Sequence, residues 1–300
     1  MTDSRRRKGA DSRRQKPERS GEGSDARRQR LDGLYDTDAL RKKRVMVVGL
    51  GSGGSTVALE LAKAGVARFT LIDPDSLEEA NLIRHECDDR YLGENKAVAV
   101  AELIRHRDPD AEIEVLQADV FDLGERLERL VAGADLVAVC TDAEPPKHLL
   151  NELCTVAGTP AVYAGVYARA AGGEVIRCSG GPNDACYACV TSVLKDSAQT
   201  PVDAAELDYG AVDTDGTLHG VPGLGLDVRL IALLHAKVCL ATLVPELALD
   251  ANVVLFGNQP MEGLFPRPLA SALVQVARQD DCLVCGPLRE GLPPSLRPRR

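Results

Sequence analysis

Arg44-Val45-Met46-Val47-Val48-Gly49-Leu50-Gly51-Ser52-Gly53-Gly54 is the stretch on which the fold is decided. Arg44–Val48 is a short apolar run, as a strand covered on both faces requires. It leads without a break into Gly49-x-Gly51-x-x-Gly54. In Ser55–Ala64, Val57, Ala58, Leu61 and Ala62 stand at helical spacing, and Gly65 closes the helix. A second strand, Phe69–Ile72, ends at Asp73-Pro74-Asp75. Strand, glycine turn, helix and strand together make a βαβ crossover. Glycines in that turn let the backbone approach a phosphate, and the helix N-terminus attracts the anion. Asp73 then stands where a carboxylate can accept ribose hydroxyls. Ser55, not Lys, follows Gly54, so the run is not a Walker P-loop.

The alternation continues along the chain. Helices are expected over Lys96–Arg107, Glu125–Val131 and Pro146–Ala157, and strands over Ile113–Leu116, Asp135–Cys140 and Ala161–Gly165. Glu174–Cys178 adds an antiparallel strand. Ser192–Leu224 has Asp, Thr, Gly and Pro punctuation and reads as a long crossover loop. A helix over about Leu226–Val244 and a strand over Val253–Phe256 follow. The expected fold class is α/β: a Rossmann-like, mostly parallel sheet with helices on both faces, extended by antiparallel strands.

Residues 1–30 hold eleven Arg or Lys against five Asp or Glu, so the tail carries +6 within a chain of net charge −9. It is nearly free of large apolar groups and reads as a disordered basic extension with no assigned function. Nucleic-acid binding is not expected. The domain reading is a tail over 1–30, an ordered region over 31–290 and a frayed Pro- and Arg-rich end over 291–300. No run of 18 apolar residues occurs and no signal-peptide pattern opens the chain, so a cytoplasmic protein is expected.

Beyond Asp73 the sequence departs from that of a dehydrogenase. Asn81-Leu82-Ile83-Arg84-His85 just beyond Asp73, then Gly93-x-x-Lys96 at a helix start, then Cys140-Thr141-Asp142 at a strand end add cations and a further carboxylate. A triphosphate carries about four negative charges and needs side-chain cations as well as backbone donors. Asp142 offers the oxygen ligand that Mg²⁺ takes beside phosphate oxygens.

The series GLGSGG, LIDPD, NLIRH, GENK and CTD, in this order, resembles the ThiF/MoeB/HesA family, the prokaryotic kin of ubiquitin-activating enzymes. The similarity runs from about Arg41 to Gly286. It implies an adenylation domain in which Gly49, Gly51, Gly53 and Gly54 form the ATP loop, with Asp73 and Asp75 at its ribose side. By the same resemblance, Asn81, Arg84 and Lys96 meet the triphosphate and Asp142 holds Mg²⁺. It also implies a homodimer, a ubiquitin-like β-grasp protein as substrate, and a conjugating enzyme or sulfur carrier downstream. The family's usual Asn after CTD is Ala143 here. The family also uses an N-terminal Arg from the partner subunit, for which Arg28, Arg30 and Arg41 are candidates. Adenylation of a peptide or other small acyl group, and a nucleotide-binding scaffold without activity, are the alternatives.

Cys186-x-x-Cys189 and Cys282-x-x-Cys285 have matching spacing, and four thiolates suit tetrahedral Zn²⁺ in a structural site. A redox pair is the alternative reading. Residues 190–238 contain no Cys, and of the remaining cysteines only Cys87 is a candidate thioester-forming thiol.

Overall fold

The computed structural model of the protein describes residues 29–31, 33–197, 210–212, 218–220 and 223–287. The alternation of side chains along β1 (Arg44–Val48) sets its two layers. Val45 and Val47 point into one core, Met46 and Val48 into the other, and all four are buried. The continuous apolar run is therefore two alternating half-runs, each with its own cover.

β2 (Arg68–Ile72) and β3 (Glu112–Leu116) extend the sheet parallel on one side of β1; β4 (Leu136–Val139) and β5 (Ala161–Val166) extend it parallel on the other. β6 (Gly172–Cys178) turns back antiparallel to β5. A separate two-stranded ribbon is made of β7 (Gly210–Val212) and β8 (Leu218–Gly220). β9 (Val253–Gly257) and β10 (Ala270–Val274) complete the large sheet, whose order is β10-β9-β6-β5-β4-β1-β2-β3. Five parallel strands followed by three antiparallel ones match the expected class. β10 was not expected: it is an edge strand whose middle residues are exposed, so its sequence carries no burial pattern.

Helices cover both faces. α1 (Thr37–Lys42) leads into β1. α2 (Ser52–Ala64), α3 (Lys96–Arg107) and, later in the chain, a long apolar helix over Gly225–Leu243 pack on the Val45 and Val47 side. α4 (Glu125–Ala132), α5 (Glu144–Ala157) and α6 (Tyr187–Ser197) pack on the Met46 and Val48 side. The Gly225–Leu243 helix is α7. Two expectations need correction. α2 starts at Ser52, so Gly53 and Gly54 lie in its first turn. α6 runs to Ser197, so the segment read as loop from Ser192 begins as helix. Apart from residues 29 and 30, the basic tail lies outside the described residues, as does 291–300.

The chain's last described segment is tied to the sheet by one buried amide. Asn252 Nδ2 donates to the Val276 carbonyl and its Oδ1 accepts from the Val276 N–H, both at 2.8 Å. Asn252→Ala leaves both backbone groups unpaired. A loss of about 2 kcal/mol in denaturant-unfolding stability is expected, against little change for Asn252→Asp at pH values where the aspartyl side chain is protonated.

Candidate functional site

The direction of the chain reverses across the sheet between β1 and β4, and ligands of open α/β sheets enter at such a point, beyond the carboxyl ends of the strands. The two ends are pressed together there. A Cβ on Gly49 would lie 2.9 Å from the carbonyl carbon of Cys140, and Gly49 has φ 85°, a conformation glycine adopts without strain. A Cβ on Gly54 would overlap the Gly49 carbonyl oxygen. Above Gly51 and Gly53, in contrast, nothing lies within 4 Å of an added Cβ. The glycines thus serve two ends: Gly49 and Gly54 permit packing, while Gly51 and Gly53 leave the backbone bare where the first-turn N–H groups of α2 lack helical partners.

Leu50 is held at both of its backbone groups. Its N–H donates to Asp73 Oδ2 at 2.5 Å, and the other oxygen, Oδ1, accepts from the Asp75 N–H at 2.8 Å. Its carbonyl lies 2.7 Å from His85 Nε2, and His85 Nδ1 accepts from the Cys87 N–H at 3.0 Å. The acceptor role of Nδ1 fixes the proton on Nε2, so the ring is neutral. Burial lowers the His85 pKa and raises that of Asp73, whose two N–H bonds pull the other way. Asp73 is therefore a rivet for the glycine loop, set at the end of β2.

Lys96, the first residue of α3, keeps 13% of its side chain exposed and pairs with Asp75 at 2.9 Å. Its charge favours ionised Asp73 and neutral His85. Asn95, which was not among the residues expected from the sequence, caps α3: Oδ1 accepts from Ala97 and Val98, while Nδ2 donates to the carbonyls of Asp73 and Asp75. An Asn directly before a helical run was the signal available. Asn81 Oδ1 accepts from the Glu78 N–H at 3.0 Å, so its side chain stabilises the turn that carries Arg84. Arg84 is half-buried, and its Cβ would be 3.2 Å from one placed on Gly225, so α7 backs it. Asp142 is exposed, just beyond β4. Asp73, Asp75, Lys96 and His85 are thus brought together by direct or electrostatic contact around the glycine loop, with Asp142 on the adjoining strand end.

The Cys87 expectation fails. Cys87 is buried and its thiol is pushed up to about 12 by burial and by Asp88, Glu86 and Glu102, the reverse of what a thioester nucleophile requires. Arg41 is ion-paired with Asp108 of its own chain, Arg30 is exposed, and Arg28 lies outside the described residues.

The four paired cysteines converge as their spacing predicts. Their sulfurs lie within 4.8 Å of one another, with Cys186–Cys189 at 3.8 Å, Cys186–Cys282 at 3.6 Å and Cys189–Cys285 at 3.3 Å. Four sulfurs about 2.3 Å from one Zn²⁺ stand about 3.8 Å apart, so the set fits the ion. The Gln279 N–H points at Cys189 and the Asn151 amide at Cys186, the outer hydrogen bonds that thiolates favour.

With this geometry in view, the comparisons decide the family. A family profile described as the ThiF family matches residues 26–267. The chain belongs to the ThiF family. The SAMP-activating enzyme E1 of Haloferax volcanii is 29% identical over 250 residues, 82% of each chain. The adenylyltransferase and sulfurtransferase MOCS3 of Mus musculus is 30% identical over 81% of this chain, which spans only 47% of that protein. The molybdopterin-synthase adenylyltransferase of Escherichia coli is 32% identical over 56% of this chain and 66% of its own length. By fold, the chain superposes on E. coli MccB with ATP at a TM-score of 0.63 and 19% identity, covering 83% of this chain and 68% of that one. As its family and relatives establish, this ThiF-family protein is an ATP-dependent adenylyltransferase. Among its described residues, no helix is long and apolar enough to cross a membrane.

His235 gives the core beside the site a pH dependence. Its Nε2 donates to the Val162 carbonyl at 3.0 Å and its Nδ1 faces Cys140 Sγ at 3.8 Å. Burial, with Lys147 adding a smaller push, lowers its pKa to about 4. The unfolded chain takes up this proton near pH ~6.5 and the folded one only near 4, so stability is full above ~6.5 and falls as pH drops through that window. A loss approaching about 3 kcal/mol between pH 7 and pH 4 is expected from this group, and chemical denaturation should show a shallower pH slope for His235→Gln.

Proposed function

We propose that this adenylyltransferase activates the C-terminal carboxylate of a ubiquitin-like β-grasp protein. The observation that carries the reading is the charge arrangement at the switch point: Lys96 is pinned by Asp75 beside a bare glycine loop, Arg84 directly precedes the His85 that grips that loop, and a carboxylate stands on the neighbouring strand end. The match to an archaeal activating enzyme across 82% of both chains supports this substrate class.

In this reading ATP lies over Gly49–Gly54, with its ribose at Asp73 and its triphosphate near Asn81, Arg84 and Lys96. Asp75 sets Lys96 in place through their ion pair. The incoming carboxylate needs no general base, because a free chain-terminal carboxyl titrates near pH ~3.5 and is ionised at neutral pH. One carboxylate oxygen forms a bond to the α-phosphorus as the bond to pyrophosphate breaks. Catalysis is positioning plus neutralisation of charge on the phosphates, which Arg84 and Lys96 supply. Asp142, an exposed carboxylate at the crevice, has the donor chemistry to hold Mg²⁺, which would screen further phosphate charge. The four cysteines hold a structural Zn²⁺ that ties the segment around Cys282 back to α6. The enzyme acts as a homodimer, and a sulfur or amine nucleophile of a sulfur carrier or conjugating enzyme takes up the acyl group.

Two experiments test this. Exchange of labelled pyrophosphate into ATP should depend on a Gly-Gly-tailed β-grasp protein, and Arg84→Ala or Asp142→Ala should lower it by about 100-fold with the fold intact by circular dichroism. Exchange without such a protein, or unchanged rates in both variants, contradicts the assignment. Metal analysis of purified protein should give about one zinc per chain, lost in Cys186→Ser/Cys282→Ser together with thermal stability.

A further inference from the structure

Lys147 lies on the first turns of α5, five residues beyond Asp142, and is only 5% exposed. A buried ammonium with three donors demands partners. Among the described residues its one hydrogen-bond partner is Glu144 Oε1, at 2.9 Å. Glu144 itself is half-exposed, and both its oxygens accept from the Tyr187 hydroxyl at 3.0 and 3.1 Å. His148 Nε2 stands 3.6 Å from Glu144 Oε2. A buried cation is thus held at the crevice by a carboxylate that solvent can reach.

The surroundings show which side of the crevice this charge serves. Burial raises the pKa of Glu174 on β6 and lowers that of His235 on α7, and within those shifts Lys147 favours ionised Glu174 and neutral His235, so its charge is felt at both. The cross-strand neighbour of Glu174 is Gly165, and a side chain there would overlap the Glu174 carboxylate. Gly172 and Gly173 beside it are buried, with Phe256, Tyr167 and Ile231 packed against them. The first turn of α5 adds little anion affinity of its own, because Pro145 and Pro146 remove two of its N–H donors. Positive charge at that spot therefore comes from a side chain. Lys96 stands on the other side of β1, at the end of β2.

We infer that Lys147 is the cation that receives the terminal carboxylate of the acyl substrate, and that Glu144 competes with that carboxylate for the same ammonium. The inference rests on the adenylation reading for the substrate's role. The contact itself is a statement about carboxylate binding, and it can be tested apart from the reaction. Lys147 is a binding and orienting residue: it sets the carboxylate beside the α-phosphate and undergoes no bond change.

The probe is glycylglycine, titrated calorimetrically into the full-length protein loaded with a non-hydrolysable ATP analogue and magnesium, with glycylglycinamide in parallel. The native protein should prefer the free acid by about tenfold, the loss expected for one charge-assisted hydrogen bond. Lys147→Met keeps the apolar stem, should abolish the preference, and should leave affinity for the ATP analogue within about twofold. Glu144→Gln removes the competitor and should tighten glycylglycine, a gain that a purely structural role for the pair does not produce. Acid and amide binding equally or not at all, a preference that survives Lys147→Met, or a weakened Glu144→Gln overturns the inference. Loss of nucleotide affinity in Lys147→Met also overturns it, by moving Lys147 to the α-phosphate. A carboxylate preference without pyrophosphate exchange leaves the contact standing and removes the adenylation reading instead.

Discussion

The backbone of Leu50 is gripped at both its groups, and the crevice depends on that grip. Asp73 takes its N–H and His85 its carbonyl, so the glycine loop has the conformation set by residues 23 and 35 positions away. Glycine loops gain close approach to an anion by giving up side-chain contacts, and left alone they are mobile. Here two buried polar side chains supply the missing rigidity. Each is itself held by a backbone amide, of Asp75 and Cys87. The motif residues that look like ligands are therefore also the supports of the loop.

Charge is divided across the crevice in the same way. On the β2 side Lys96 is pinned by Asp75, and Asn95 stitches the start of α3 to the end of β2. On the β4 side Lys147 is pinned by Glu144, which Tyr187 holds in turn. Tyr187 follows Cys186 in sequence and donates its backbone N–H to Asn151, whose amide also meets Cys186. The cysteine centre thereby anchors the aromatic that orients Glu144. In this arrangement the cations are held before a ligand arrives, which lowers the reorganisation a reaction must accomplish.

Much of this was legible in the sequence, for definable reasons. Arg44–Gly54 combined an apolar run, glycine spacing and a helical pattern, three local signals that agree, and the βαβ unit followed. The paired C-x-x-C spacing announced a convergence across more than ninety residues because metal ligands are constrained by chemistry and not by local propensity. What the sequence concealed was of another kind. α1 has six residues and its sign was the Asp36 cap; β10 is an edge strand without a burial pattern. The hold of Asp73 on Leu50, the Asn95 cap and the burial of Lys147 are tertiary facts. A lysine on an amphipathic helix reads as a solvated charge unless the neighbouring elements are known. Cys87 illustrates the converse: its place after the NLIRH motif suggested exposure, and packing against α3 removed it.

The central claim is that this crevice is built for a polyphosphate, with positive side chains standing ready around a bare loop. A crystal structure of the protein grown with ATP and magnesium addresses it most directly. The account predicts the triphosphate lying over Gly51 and Gly53, with Arg84 and Lys96 within hydrogen-bonding distance of its oxygens and the ribose against Asp73. A nucleotide bound elsewhere, or those two side chains turned toward solvent while ATP occupies the loop, contradicts it.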